Sequence, residues 1–168
     1  MVCRANDVTY SGQTKVGLTL GKYAPLHKGH QYVFETALCE MQHVIVIIYD
    51  SPEVTSIPLQ IRSGWIKHLY PTIEVIEAWE GPQEVGYTEA VMRAQEEYVI
   101  QLLGDTSLSH FYSSERYGEH MSIALNAIDR RVDVQRDKYP ISGTQIRTDY
   151  QKYGKFLDPH VLNSLQHR

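Results

Sequence analysis

Hydrophobic residues along the chain switch repeatedly between a period of two and a period near 3.6, and each switch predicts a change of element. Residues 15–20 (KVGLTL) alternate and predict a strand. Residues 29–41 place Val33, Phe34, Ala37, Leu38 and Met41 at helical spacing. The run 43–49 (HVIVIIY) is apolar throughout, too short for a typical helix and rich in β-branched residues, as a strand buried on both faces requires. Residues 60–69 predict a short helix with Ile61, Trp65, Ile66 and Leu69 on one side, and residues 72–79 a strand introduced by Pro71. Residues 88–103 form the longest helical pattern, with Val91, Ala94, Tyr98 and Leu102 in one stripe. A strand at 108–112, a helix at 115–125 weakened by Gly118, a short strand at 131–134 and helices at 144–150 and 155–166 complete the series. Loops fall where Gly and Pro cluster, at 21–26, 50–58 and 80–86.

Strand and helix therefore alternate about four times before a fifth strand and a helical tail. This order predicts a three-layer α/β architecture with a parallel five-stranded sheet, Rossmann-like, with ligands at the carboxyl ends of the strands. Residues 1–14 read as a flexible N-terminal arm and 15–168 as one domain.

Composition narrows the function classes. The 168 residues carry 16 basic and 20 acidic side chains, a net charge of -4, which disfavours a nucleic-acid-binding face. The longest apolar run is far too short to span a bilayer, and the first 14 residues lack a signal-peptide core, so a cytoplasmic location is expected with no membrane partner. Cys3 and Cys39 suggest neither a disulfide framework nor a cysteine metal site. Tyrosine (12) outnumbers phenylalanine (3), which fits substrate binding, subunit contact or half-buried packing alike.

Candidate chemistry sits in two turns. Gly21-Lys22-Tyr23-Ala24-Pro25-Leu26-His27-Lys28-Gly29-His30 lies between the first strand and the first helix, where free N–H groups favour an anion. Gly29 permits close backbone approach, His27 and His30 can face one phosphate chain as donors, and Lys22 and Lys28 add positive charge. Neither a G-x-G-x-x-G nor a P-loop pattern is present. The histidine pair alone also fits loop packing, or zinc, although no nearby carboxylate or cysteine completes a zinc site. The second turn is Ile141-Ser142-Gly143-Thr144-Gln145-Ile146-Arg147. Ser142 is a helix cap, its hydroxyl and the N–H groups beyond it suit a phosphate, and the Arg147 fork can bridge two phosphate oxygens.

Together the two turns resemble the nucleotidyltransferases of the adenylyltransferase and cytidylyltransferase superfamily, which pair an [HT]-x-G-H turn with an Ile-Ser-x-Thr-x-x-Arg-like segment. Within it the resemblance is to nicotinamide-nucleotide (NMN) adenylyltransferases, in particular the adenylyltransferase domain of the bacterial bifunctional NMN adenylyltransferase/ribosylnicotinamide kinase. Ser113-Ser114-Glu115-x-Tyr117-Gly118 and Pro140-Ile141-Ser142-Gly143-Thr144 carry it, with weaker matches at Arg62-Ser63-Gly64-Trp65-Ile66 and Trp79-Glu80-Gly81-Pro82. Class I aminoacyl-tRNA synthetases share the His-x-Gly-His turn but need far longer chains. The kinase domain of the bifunctional type has no counterpart here, so kinase activity is not expected.

The resemblance implies a nucleotidyltransferase fold and transfer of AMP from ATP to NMN, giving NAD and pyrophosphate, with Mg2+ carried mainly by the ATP phosphates. It implies catalytic roles for His27, His30, Lys22 and Arg147. Gly21, Tyr23, Ala24, Lys28, Gly29, Ser113, Ser142, Gly143 and Thr144 are then expected to hold ATP. Asp50, Arg62, Trp79 and Tyr87 are candidates for the acceptor nucleotide: Trp79 and Tyr87 as flat surfaces for its base, Arg62 for a phosphate or carboxylate, Asp50 for a ribose hydroxyl. Local packing roles remain open for each. Alternatives are nicotinic acid mononucleotide, phosphopantetheine or a cytidylyl-transfer acceptor, and a non-catalytic nucleotide-binding domain, although the retention of His27, His30 and Arg147 argues against the last. No metal ligand is expected from the protein, and a homo-oligomer is compatible with the resemblance.

Overall fold

The computed structural model describes residues 12, 14–84, 86–115 and 118–167, so the expected arm falls almost wholly outside the described residues, as do Cys3 and Tyr117. The alternation is realised as β1 (Val16–Gly21), α1 (Lys28–Glu40), β2 (His43–Tyr49), α2 (Leu59–Leu69), β3 (Glu74–Ala78), α3 (Glu89–Leu103), β4 (His110–Ser113), α4 (Gly118–Ala124) and β5 (Ile128–Arg131), followed by α5 (Gly143–Thr148), α6 (Tyr150–Tyr153) and α7 (Pro159–Gln166). All strand pairings are parallel and the order is β3-β2-β1-β4-β5. The chain winds outward from β1 in one direction through β3, then crosses to β4 on the other side. The crevice above the carboxyl ends of β1 and β4 is thus the switch point where ligands bind in open parallel sheets.

The continuous apolar run of β2 explains its central place. Val44, Val46 and Ile48 pack on one face of the sheet with α1 and α2 residues, including Val33, Phe34, Ala37, Trp65 and Ile66. Ile45 and Ile47 point to the other face, with Val99 and Leu103 of α3 and Met121 of α4. Each fully buried aliphatic side chain of this kind contributes roughly 1.5–3 kcal/mol. The tail helices return to the first face, where Ile146, Leu157 and Val161 are buried. Among the described residues no helix is long and apolar enough to cross a membrane.

Several boundaries differ from the sequence expectation. The last strand is Ile128–Arg131 rather than 131–134. As an edge strand it pairs only with β4, and its charged side chains find partners, Arg130 on Glu40 at 2.7 Å and Arg131 on Asp129 at 2.8 Å. The apolar residue that suggested the later start, Val132, is buried just beyond the strand, where its N–H donates to the Ser113 carbonyl at 2.8 Å. The fourth helix starts at Gly118 rather than 115. The tail holds three α-helices, α5, α6 and α7, with a 3-10 turn (Gly154–Phe156) after α6, where two helices were expected. Ile61 is exposed and Leu59 takes its place in the α2 core face. Cys39 is disulfide-bonded, which its place in an apolar helical pattern did not suggest.

Candidate active site

The carboxyl ends of β1, β2 and β4 open into a cavity of about 740 Å³, within the range of ordinary small-molecule sites, roughly 300–1,000 Å³. The first turn forms one wall. His27 caps α1: its Nδ1 accepts from the Gly29 N–H at 3.2 Å, and the His30 Nδ1 accepts from the His27 N–H at 3.4 Å. Both Nδ1 atoms are therefore acceptors, which puts the proton of each neutral ring on Nε2. The two rings stack, 3.6 Å between centroids and 20° between planes, and both line the cavity. A side chain at residue 29 would crowd this stack, since a Cβ there falls 3.0 Å from His27 Cε1. Buried Tyr23, held at φ 45°, braces His30 edge-on at 4.9 Å and Phe34 at 5.2 Å.

Burial and positive charge keep both rings neutral. The pKa of His27 falls from 6.5 to about 4, chiefly through desolvation and then through the charge of Arg136. That of His30 lies well below 6.5, through desolvation first, then His27 and Arg136.

The second turn closes on the first. Arg147 Nη1 donates to the Ala24 carbonyl at 2.6 Å, across 123 residues of sequence, and its Nη2 donates to Thr144 Oγ1 at 3.1 Å. The reach depends on Gly143, where a Cβ would lie 3.1 Å from Arg147 Nη1 and 3.4 Å from the Ala24 oxygen. Ser142 caps α5 reciprocally with Gln145: the Gln145 N–H donates to Ser142 Oγ at 3.3 Å, and the Ser142 N–H to Gln145 Oε1 at 2.9 Å. Lys22 reaches the same cavity but is ion-paired with Glu53 at 3.1 Å.

Gly21, Lys22, Tyr23, Ala24, His27, Gly29, His30, Asp50, Tyr87, Ser113, Ser142, Gly143, Thr144 and Arg147 all line the cavity. Three candidates stand elsewhere. Lys28 is exposed in the first turn of α1 and lines no part of it. The Trp79 ring is 47% exposed outside the lining, while its carbonyl accepts from the Tyr98 hydroxyl at 2.7 Å. Arg62 is fully buried, and its guanidinium donates to the carbonyls of Ile57, Lys22, Tyr49 and Asp50. It ties the loop after β1 to the end of β2 and lies outside the cavity lining. Asp50 has a partly structural role too, accepting from the Ser51 N–H at 2.9 Å and the Glu80 N–H at 3.2 Å.

A family model of cytidylyltransferase-like proteins matches residues 18–149, a span that contains both turns. The chain belongs to the cytidylyltransferase-like family. No curated protein matches it. Among solved structures, this family member is similar to a NadR protein in complex with NAD and AMP-PNP, at a TM-score of 0.63 and 20% identity over 85% of this chain and 44% of that one. It is also similar to a bifunctional NMN adenylyltransferase/ADP ribose pyrophosphatase from Francisella tularensis complexed with AMP and a manganese ion, at a TM-score of 0.57 and 17% identity over 87% of this chain and 43% of that one. At these identities the likeness is one of fold, and this cytidylyltransferase-like chain spans less than half the length of either.

The cavity also holds residues that the sequence did not single out. Arg136, Asp133 and Tyr139, from the segment between β5 and α5, line it beside Glu53 and His120. His120 Nδ1 lies 2.8 Å from Glu96 Oε1. Arg136 stands in a polar run, Asp133-Val134-Gln135-Arg136-Asp137-Lys138, with no spacing that marks it. Its one sequence signal is a basic residue in the short connection leading to Ser142.

Proposed function

We propose that this protein transfers AMP from ATP to nicotinamide mononucleotide, forming NAD and releasing pyrophosphate. The observation that carries the reading is the closure of the two turns on one cavity wall, with Arg147 bonded to Ala24 beside the stacked His27 and His30. Such a wall offers Nε2–H donors, a guanidinium and the N–H groups of two helix starts to a single polyphosphate. The choice of acceptor is supported by the sequence resemblance and by the fold likeness to a NadR protein solved with NAD and to a bifunctional NMN adenylyltransferase.

In this reading an oxygen of the NMN 5′-phosphate attacks the α-phosphorus of ATP. The bond from that phosphorus to the bridging oxygen breaks, and pyrophosphate leaves with the electron pair. The nucleophile is already an anion, so no serine or cysteine needs activation. The protein positions both phosphates and neutralises charge as it spreads over the α-phosphate oxygens. His30 and His27 donate from Nε2 to those oxygens, and bound phosphate favours the protonated form of both rings, opposing the burial that keeps them neutral beforehand. Lys22 and Arg147 hold the β- and γ-phosphates, with Ser142 and Thr144 as hydroxyl donors. A Mg2+ ion would be carried mainly by the phosphates of ATP and supply charge neutralisation there.

The test is pyrophosphate release from ATP or CTP against a panel of NMN, nicotinic acid mononucleotide and phosphopantetheine. CTP is included because the family's name refers to cytidylyl transfer. ATP with NMN is expected to turn over fastest. Robust turnover restricted to another pair would reassign the substrate, and no turnover with any pair would point to a non-catalytic nucleotide-binding domain. Loss of one donor to a developing oxyanion typically costs about 100-fold or more in kcat. His30→Ala should therefore lower kcat by that order with little change in NMN affinity, and an unchanged kcat would remove His30 from the mechanism.

A further inference from the structure

The cavity lining carries a further cation with no assigned task. Arg136 lines the cavity, and its Nη1 donates to the Ile141 carbonyl at 3.2 Å, directly before Ser142. Its Nη2 is paired with Glu115 Oε1 at 3.3 Å, and both side chains are about half exposed. The loop that presents it is built with unusual backbone. Asp133 and Arg136 both adopt positive φ, 52° and 56°, a region that residues with a side chain rarely occupy. The Asp133 carboxylate holds the loop by accepting from the N–H groups of Lys138 and Tyr139, each at 3.2 Å. Strained conformations of this sort persist where surrounding structure imposes them, and they gather at functional sites.

We propose that Arg136 is a ligand for the phosphates of the nucleotide and that Glu115 occupies it in the free protein, the ion pair parting when the triphosphate binds. The proposal rests on the transferase reading for the identity of the nucleotide, but not for the phosphate chemistry. The Ile141 carbonyl fixes one arm of the guanidinium, and the fork keeps further N–H donors for a bidentate contact. Arg136 is near enough to His27 and His30 for its charge to oppose protonation of both rings, so it belongs to the same electrostatic site. Glu115 is a weak, half-exposed competitor, and a polyphosphate with several negative charges displaces it readily. Lys22 and Glu53, which line the same cavity, repeat the arrangement at 3.1 Å. In the free protein, then, each of these two cations is held by a carboxylate that the phosphates replace.

The experiment is calorimetric titration of the full chain with MgATP, and separately with inorganic tripolyphosphate, for the wild type and for Arg136→Ala, Arg136→Lys and Glu115→Gln. Arg136→Ala should weaken both ligands at least tenfold, and Arg136→Lys should recover part of the loss. Glu115→Gln should tighten both about threefold or more, because the competitor is gone. A purely structural ion pair would give the opposite pattern, with Glu115→Gln weakening binding as Arg136→Ala does. If Arg136→Ala fails to fold, the Lys and Gln variants still separate the two patterns. ATP affinity unchanged in Arg136→Ala would overturn the proposal while leaving the transferase reading intact. Arg136-dependent tripolyphosphate binding without turnover of any nucleotide would do the reverse.

Discussion

Arg62 and Arg147 carry the same guanidinium and reach different ends because of what surrounds each. Arg147 stands at the rim of the cavity with one arm on Ala24 and the other on Thr144. Arg62 is itself fully buried and donates to four carbonyls of the surrounding loops. Removing the guanidinium takes the partner from those acceptors, at about 1–3 kcal/mol for each group left wholly unsatisfied. Arg62→Met should therefore lower unfolding stability by on the order of 3–5 kcal/mol in urea titrations. A variant as stable as the wild type but impaired only in acceptor affinity would restore Arg62 to the ligand site. From sequence an arginine beside a nucleotide loop offers no way to tell these roles apart. The carbonyls that claim it belong to segments up to 40 residues away and are exposed to its reach only by the fold.

The elements show where local rules suffice. Ser142-Gly143-Thr144-Gln145 spells a reciprocal cap, and the structure forms it as written. Ser142→Ala should cost about 1 kcal/mol of stability and weaken ATP binding, read together by thermal melts with and without nucleotide. Full retention of both would remove the cap from the argument. The central strand β2 was equally legible, since the unbroken aliphatic run from Val44 to Ile48 has no place except between two layers. The edge strand β5 was not legible. Its residues are Ile128, Asp129, Arg130 and Arg131, and only pairing with β4 and partners on Glu40 and Asp129 make a strand of them. Helix α3 lies between these cases. Its period was clear, but the face it buries centres on Val99 and Leu103, with Tyr98 and Leu102 at the margin.

At the scale of the molecule, closing the fold over the first turn has a consequence in pH. His27 stays neutral in the folded protein down to about pH 4, whereas an unfolded chain protonates it near 6.5. Below pH 6.5 the unfolded state binds a proton that the folded state refuses, so this contribution to stability is intact above 6.5 and is lost as pH falls toward 4. A shift of that size corresponds to roughly 3 kcal/mol. His30 acts in the same direction. Melting temperatures between pH 7.5 and 4.5 should fall less for His27→Gln than for the wild type, and parallel declines would contradict the assigned burial.

The sequence by itself determined the order of strands and helices, the parallel sheet, and the two turns that suit phosphate, because these depend on residue period, caps and glycine placement within a few positions. Only the tertiary structure decided which side chains share the cavity. It set Arg62 under the loops and Trp79 and Lys28 outside, and it brought Arg136 and Glu53 in. Those outcomes turn on burial and on partners distant along the chain, and a side chain's charge settles on the nearest partner in space, which no local pattern encodes. The opening of the first helix at His27 to His30 belongs to both. Four consecutive residues make it suited to an anion, while the stacking, the neutral rings and the nearby arginines exist only because the chain folds back on it.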